Sequence, residues 1–282
     1  LVEVGAVRVR DSSGSLVYAV PPASGEVAGP DGSAGPDARL AGVCRELLVT
    51  PSVQERARAL MTRLPGAADL EALRTAARSA YRVPDALSIM AAPGTQILIE
   101  TLPVLAPTDA RVAVLGPTYQ EHARSWRQAG FTVDEGRELD DIGDARIVVV
   151  VNPNNPDGRI VPPARLAALG AKLAARGGWL VVDEAFADFT PEASLVPLAL
   201  AGTIVLRSFG KTYGLAGVRL GFAIGDGATI ASLEDHLGPW CVSGPALAIG
   251  ATALADRAWL AAAKAARRAD ADRLDALLGT VG

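Results

Sequence analysis

The stretch Ser208 to Phe222, SFGKTYGLAGVRLGF, sets Lys211 among glycines, with Ser208 three residues before it and Arg219 eight after. A lysine so placed can cradle a nucleotide phosphate, bond covalently to a carbonyl carbon, or sit in a solvated turn. The first role needs Gly six residues ahead of the lysine, in the pattern G-x-x-x-x-G-K-[ST], and Val205 stands there. The second role gains from the flanks. A hydroxyl and a cation can converge on a phosphate while the amine takes an aldehyde. Taken alone, Gly-Lys-Thr still reads as a surface turn, and the remainder of the chain has to decide.

Upstream, VVDEAF ends an apolar run with Asp183. A carboxylate leaving the carboxyl end of a strand can stay ionised opposite a protonated ring nitrogen, or merely cap the next turn. VVVNPNNPDGRIVP places two Asn-Pro steps and an Asp-Gly after a strand, which stiffens the loop around Asn155. Its amide can then bond a phenolic oxygen, although Asn, Pro, Asp and Gly are also ordinary turn residues. AAPGTQILIE turns through Gly94 and opens a helix at Thr95 and Gln96, so amide hydrogens face any anion held there. GPTYQEH adds Tyr119 after another strand, a ring able to stack on a flat cofactor or to pack locally. Amine, phosphate cradle, nitrogen partner and oxygen ligand together are the requirements of pyridoxal 5′-phosphate. No metal is called for.

These residues need a frame, and the chain alternates in a way that supplies one. Apolar LSIMAA, RVAVLG, FTV, RIVVVV, WLVVDEAF, TIVLRS and VRLGFAIG are interleaved with helical TQILIETLPVL, YQEHARSWRQAG and PARLAALGAKLAARGG. This pattern predicts an α/β layer with a mostly parallel sheet covered by helices on both faces. DLEALRTAARSAYRV has an acidic first turn and basic residues late, as an amphipathic helix should. Residues 1–39, crowded with Gly, Ser, Pro and Asp, read as a loose leader with one apolar alternation at SLVYAV, and Pro245 to Gly282 reads as one long Ala-rich helix.

Composition narrows the class. The 282 residues are 50% apolar, enough for a sizeable core, and 27 Lys plus Arg against 31 Asp plus Glu leave a net charge of -4. That balance disfavours nucleic acid as partner. Cys44 and Cys241 form no metal-ligand or disulfide spacing, and no run reaches the roughly 20 apolar residues of a membrane span. The expectation is a cytoplasmic chain with reduced thiols and no membrane partner.

In this order the motifs resemble the fold-type I pyridoxal-phosphate enzymes, in the branch that holds histidinol-phosphate aminotransferase and threonine-phosphate decarboxylase. The resemblance spans about residues 62 to 250. It implies an α/β, aspartate aminotransferase-like transferase fold. Residues 1–61 would begin a small domain, 62–244 would form the large cofactor domain, and 245–282 would lead into a small domain left incomplete at Gly282. It implies Lys211 as the Schiff-base lysine, Asp183 as partner of the pyridine nitrogen, Asn155 as ligand of the phenolic oxygen and Tyr119 as the stacking ring. Gly94, Thr95, Gln96, Ser208 and Arg219 would hold the phosphate, and the protein would be a homodimer acting on a small phosphorylated amino acid.

Within the branch, LGPWCVSGPALAIG, residues 237 to 250, is similar to the Gly-Pro-Trp-x-Val-Ser-Gly stretch of the cobalamin-pathway decarboxylases. Phe186 in DEAF points the same way, since many relatives carry Tyr there. The implied activity is decarboxylation of L-threonine O-3-phosphate to (R)-1-aminopropan-2-yl phosphate. A histidinol-phosphate-type aminotransferase and a cofactor-binding but catalytically impaired homologue are the alternatives. Three features depart from the family pattern: residues 1–39 lack a His-Gly-Gly element, Leu64 stands where relatives send a tyrosine into the neighbouring subunit, and the arginine that grips the substrate carboxylate is expected beyond Gly282.

Overall fold

The computed structural model describes residues 7–10, 16–19 and 50–279. In the first two spans, strands β1 (Val7–Arg10) and β2 (Leu16–Ala19) pair antiparallel. The rest of the expected leader, and Cys44, lie outside the described residues.

From Thr50 onward, α1 (Pro51–Ala59) and α2 (Ala67–Tyr81) precede a seven-stranded sheet. Its strands are β3 (Ser88–Ala92), β4 (Val112–Leu115), β5 (Val133–Gly136), β6 (Ile147–Val151), β7 (Trp179–Asp183), β8 (Thr203–Ser208) and β9 (Gly221–Gly225). They lie in the order β3-β9-β8-β7-β6-β4-β5. Strands β5, β4, β6, β7 and β8 pair in parallel, whereas β9 runs antiparallel to both β8 and β3.

The period-2 alternation of side chains divides the core between the two faces. Val148 and Val150 of β6 join one cluster with Leu73 and Ala77 of α2 and Leu166 and Leu173 of α5 (Pro163–Ala174). Ile147 and Val149 of the same strand join the other. That second cluster includes Leu98 and Leu102 of α3 (Thr95–Leu105), Trp126 of α4 (Glu121–Gln128) and Leu233 of α7 (Gly227–Leu237). With both faces covered, the apolar runs of the central strands need no polar side.

The topology gathers the chemistry at one edge. Asp183 and Ser208 end β7 and β8, while Gly94, Tyr119 and Asn155 follow the carboxyl ends of β3, β4 and β6. Because β9 is reversed, its first residue, Gly221, comes to the same edge, paired with Ser208 on one side and Ala92 on the other. Lys211 sits in α6 (Phe209–Thr212), one turn beyond β8. The carboxyl edge of such a sheet is where α/β proteins bind ligands.

The carboxy-terminal segment differs from the single helix expected. It is α8 (Gly244–Ala255) and α9 (Arg257–Gly279), bent by 74°. Asp256 leaves helical geometry at φ -82°, ψ 81°, and its carboxylate accepts the Trp259 N–H at 2.8 Å, capping the new helix. Ala246, Leu247, Leu254 and Trp259 are buried in the same cluster as α2 and the sheet. Among the described residues, no single helix is long and apolar enough to cross a membrane.

Candidate active site

Helix α6 has only four residues, too few to persist by its own hydrogen bonds. Its flanks hold it: Phe209 is fully buried and stacks on Tyr213 at 4.6 Å between ring centroids. The Thr212 hydroxyl donates to Asp188 at 2.6 Å. Lys211 is thereby presented outward, with Nζ 6.0 Å from the centroid of the Phe186 ring.

Asp183 is buried. One carboxylate oxygen lies 3.0 Å from Nε2 of His122, and the other accepts the Ala185 N–H at 3.0 Å. His122 is the one site residue the sequence reading passed over. Its signal was its position in YQEH, on the turn of helix that follows Tyr119. The Tyr119 ring stands edge-on to the His122 ring, 6.1 Å between centroids at 86°. Partial burial pushes the Tyr119 phenol above its ordinary pKa, and the Glu121 and Asp183 carboxylates add to that effect.

Three asparagines share the loop after β6, and only one is left unengaged. Asn152 donates to the Val161 and Ala193 carbonyls and accepts the Val161 N–H. Asn154 donates to the Pro117 carbonyl and to Asp157, and accepts from Thr118. Among the described residues, none hydrogen-bonds the half-buried Asn155 side chain. Both neighbours thus build the loop that carries it.

The anion cradle is formed by backbone and one guanidinium. Gly94 has φ +89°, a left-handed conformation that favours glycine, and a Cβ there would lie 2.7 Å from Arg219 Nη2. A Cβ on Gly221 would lie 2.8 Å from the Thr95 nitrogen. No side chain caps the amino terminus of α3, so its first amides and its dipole remain available to an anion. Arg219 makes no ion pair among the described residues, and its one side-chain hydrogen bond is to the Ala216 carbonyl at 3.3 Å. The Gln96 side chain, by contrast, is tied to Glu100 and Glu121 and accepts from the Tyr119 hydroxyl. Any contact from Gln96 to an anion is left to its backbone.

Beneath these groups lies a buried ionic network. Arg207 donates to Glu184 at 2.8 Å and to Asp188, and its guanidinium lies 4.4 Å from the centroid of the Tyr81 ring. Glu184 also accepts from the Ser194 hydroxyl at 2.7 Å and the Leu195 N–H at 2.5 Å. Burial raises the Glu184 pKa, opposed by Arg207, Ser194 and the Leu195 amide. Burial also works against the Arg207 charge, but Asp188 and Glu184 outweigh it and leave its pKa raised.

Beside β3, residues of α2, α7 and the 238–242 segment line an open cavity of about 540 Å³. Trp240 is 59% exposed at its rim, and the Cys241 thiol reaches toward the Ala91 carbonyl at 3.8 Å. The Gly-Pro-Trp stretch therefore adjoins the strand that leads into Gly94. Leu64, on the loop before α2, is 62% exposed.

An exposed lysine amine, an uncapped helix terminus beside Arg219 and a buried carboxylate lie on one edge of a doubly covered sheet, the arrangement expected of the fold-type I class of pyridoxal-phosphate proteins. The space that a Cβ would fill at Gly94 and Gly221 fits that cofactor, as do Arg219, Ser208 and Asn155, whose side chains bond no other side chain among the described residues. The chain belongs to the aminotransferase class I and II family, which matches residues 46–282. It is 45% identical over 236 residues to a threonine-phosphate decarboxylase of Sinorhizobium sp, covering 82% of this chain and 69% of the relative. It is 46% identical over 212 residues to a threonine-phosphate decarboxylase of Pseudomonas aeruginosa, covering 73% of this chain and 61% of that relative. Among solved structures, the histidinol-phosphate aminotransferase of Clostridium acetobutylicum superposes with a TM-score of 0.74 at 18% identity, covering 82% of this chain and 72% of that one.

Proposed function

We propose that this protein carries out the pyridoxal 5′-phosphate-dependent decarboxylation of L-threonine O-3-phosphate to (R)-1-aminopropan-2-yl phosphate in cobalamin biosynthesis, as a cytoplasmic homodimer. The observation that carries the reading is the 45% and 46% identity to two threonine-phosphate decarboxylases. The likeness to an aminotransferase at 18% identity concerns the fold alone.

Bound at this edge, the cofactor supplies an aldehyde that captures the substrate amine and a ring that accepts the electron pair left when carbon dioxide departs. The protein's part is positional. Thr95 and Gln96 amides, the Ser208 hydroxyl and Arg219 would hold the phosphate, and Gly94 and Gly221 would leave room for it. His122, against one oxygen of Asp183, fixes that carboxylate so that it can keep a proton on the ring nitrogen. Asn155 would donate its amide to the phenolic oxygen, unaided because Phe186 carries no hydroxyl, and Tyr119 would cover the ring face. Lys211 Nζ would deliver the proton that replaces the carboxylate on Cα.

The test is to supply the cofactor and threonine phosphate and to assay carbon dioxide and aminopropanol phosphate. Equal amounts of both, absent in Lys211→Ala, are expected. Conversion of the cofactor to its pyridoxamine form without carbon dioxide would assign an aminotransferase instead.

A further inference from the structure

Lys211 and Asp183 each have a chain neighbour in the buried network, and this adjacency has a functional reading. Glu184 follows Asp183 at the end of β7, Thr212 follows Lys211, and Arg207 joins Glu184 to Asp188, which accepts from Thr212. The path Asp183–Glu184–Arg207–Asp188–Thr212–Lys211 thus links the two groups through two peptide bonds and three side-chain contacts. Every contact in it is buried, so water does not compete for its donors and acceptors.

Stabilising the fold does not require this arrangement. Well-packed apolar residues serve as well as a buried ion pair, or better. What the network adds is direction. Phe209 and Tyr213 bury the flanks of α6 by packing, and the Thr212 hydroxyl adds a directional bond to one acceptor, Asp188 Oδ2, at 2.6 Å. Asp188 is itself oriented by Arg207.

We propose that Thr212 and Asp188, anchored through Arg207 to Glu184, are positioning residues that set Lys211 Nζ relative to Asp183 for attack on the cofactor aldehyde. The inference rests on the reading of Lys211 as the cofactor-linking lysine. The attack joins amine to aldehyde with loss of one water, and a small misplacement of the reacting atoms is enough to slow such a step.

The experiment follows the visible absorbance of the lysine-linked cofactor after mixing full-length apoprotein with increasing pyridoxal phosphate. Half-saturation reports the phosphate cradle, and the limiting rate reports the attack. Thr212→Val should lower the limiting rate about tenfold and leave half-saturation within about twofold of the parent, and Thr212→Ser should restore the rate. A purely structural Thr212 would move the melting temperature and not the limiting rate. Should the valine variant melt below the assay temperature, Thr212→Ala against Thr212→Ser carries the same comparison. An unchanged limiting rate, or a change in half-saturation alone, would overturn the proposal. A parent protein that forms no linkage would overturn the reading of Lys211 and the inference with it, a failure distinct from the first.

Discussion

Two sets of polar groups occupy the carboxyl edge of the sheet, and they have opposite fates. Glu184, Arg207, Asp188 and Thr212 are buried and bonded to one another. Among the described residues, Asn155 and Arg219 make no hydrogen bond or ion pair to another side chain, and Lys211 Nζ lies 6.0 Å from the centroid of the Phe186 ring. The residue types are much the same. Groups that complete one another inside the fold build a frame, and groups that the frame leaves without partners are the ones free to take a ligand.

The sharpest break between the two sets is expected at Lys211. Lys211→Ala should remove turnover by about 10⁴-fold or more and leave the melting temperature close to the parent's, because the amine stabilises nothing that the fold contains. In the frame the outcome reverses. Arg207→Met strands two buried carboxylates and should cost about 3–5 kcal/mol of stability in a denaturant titration, whether or not cofactor is present.

Next in size come the cradle residues. Gly94→Ala forces a side chain into a left-handed backbone and against Arg219, and should weaken cofactor binding by about tenfold or more for a strain of ~1–3 kcal/mol. Arg219→Ala should weaken it by a similar factor, since a hydrogen bond to a charged group contributes about 1.5–3 kcal/mol, with the apoprotein's stability unchanged. Equilibrium titration of the apoprotein checks both. The smallest expected effect is also the most discriminating. Asn154→Ala should cost about 1–2 kcal/mol of stability, whereas Asn155→Ala, one residue on, should cost almost none and should shift the absorbance maximum of the bound cofactor.

Much of this was legible in the sequence because it is local. Each of LSIMAA, RVAVLG, RIVVVV, WLVVDEAF, TIVLRS and VRLGFAIG contains one strand of the sheet, and the helices lie between them as the pattern predicts. Strand ends mark where loops begin, so Gly94, Tyr119, Asn155, Asp183, Ser208 and Lys211 fell at one edge once the strands were parallel. The rest depends on pairings that no local pattern encodes. His122 meets Asp183 across 61 residues and Arg207 meets Glu184 across 23. The one sequence trace of the network was a charged residue inside an apolar strand, Arg207 in TIVLRS, a residue type seldom fully buried unless paired. The bend at Asp256 was missed for another reason. Alanine-rich composition favours helix on both sides, and the break is set by a single aspartate that caps the second helix rather than continuing the first.

On the reading proposed above, the groups at the sheet edge that lack side-chain partners form the cofactor site, with Lys211 at its centre. The most direct measurement is to mix the protein with pyridoxal 5′-phosphate, reduce with borohydride, digest and weigh the peptides. The chain has two other lysines, Lys172 and Lys264, so the answer is unambiguous. A single phosphopyridoxyl group is expected, on the peptide that contains Lys211. A label on Lys172 or Lys264 instead, or none at all, would contradict it.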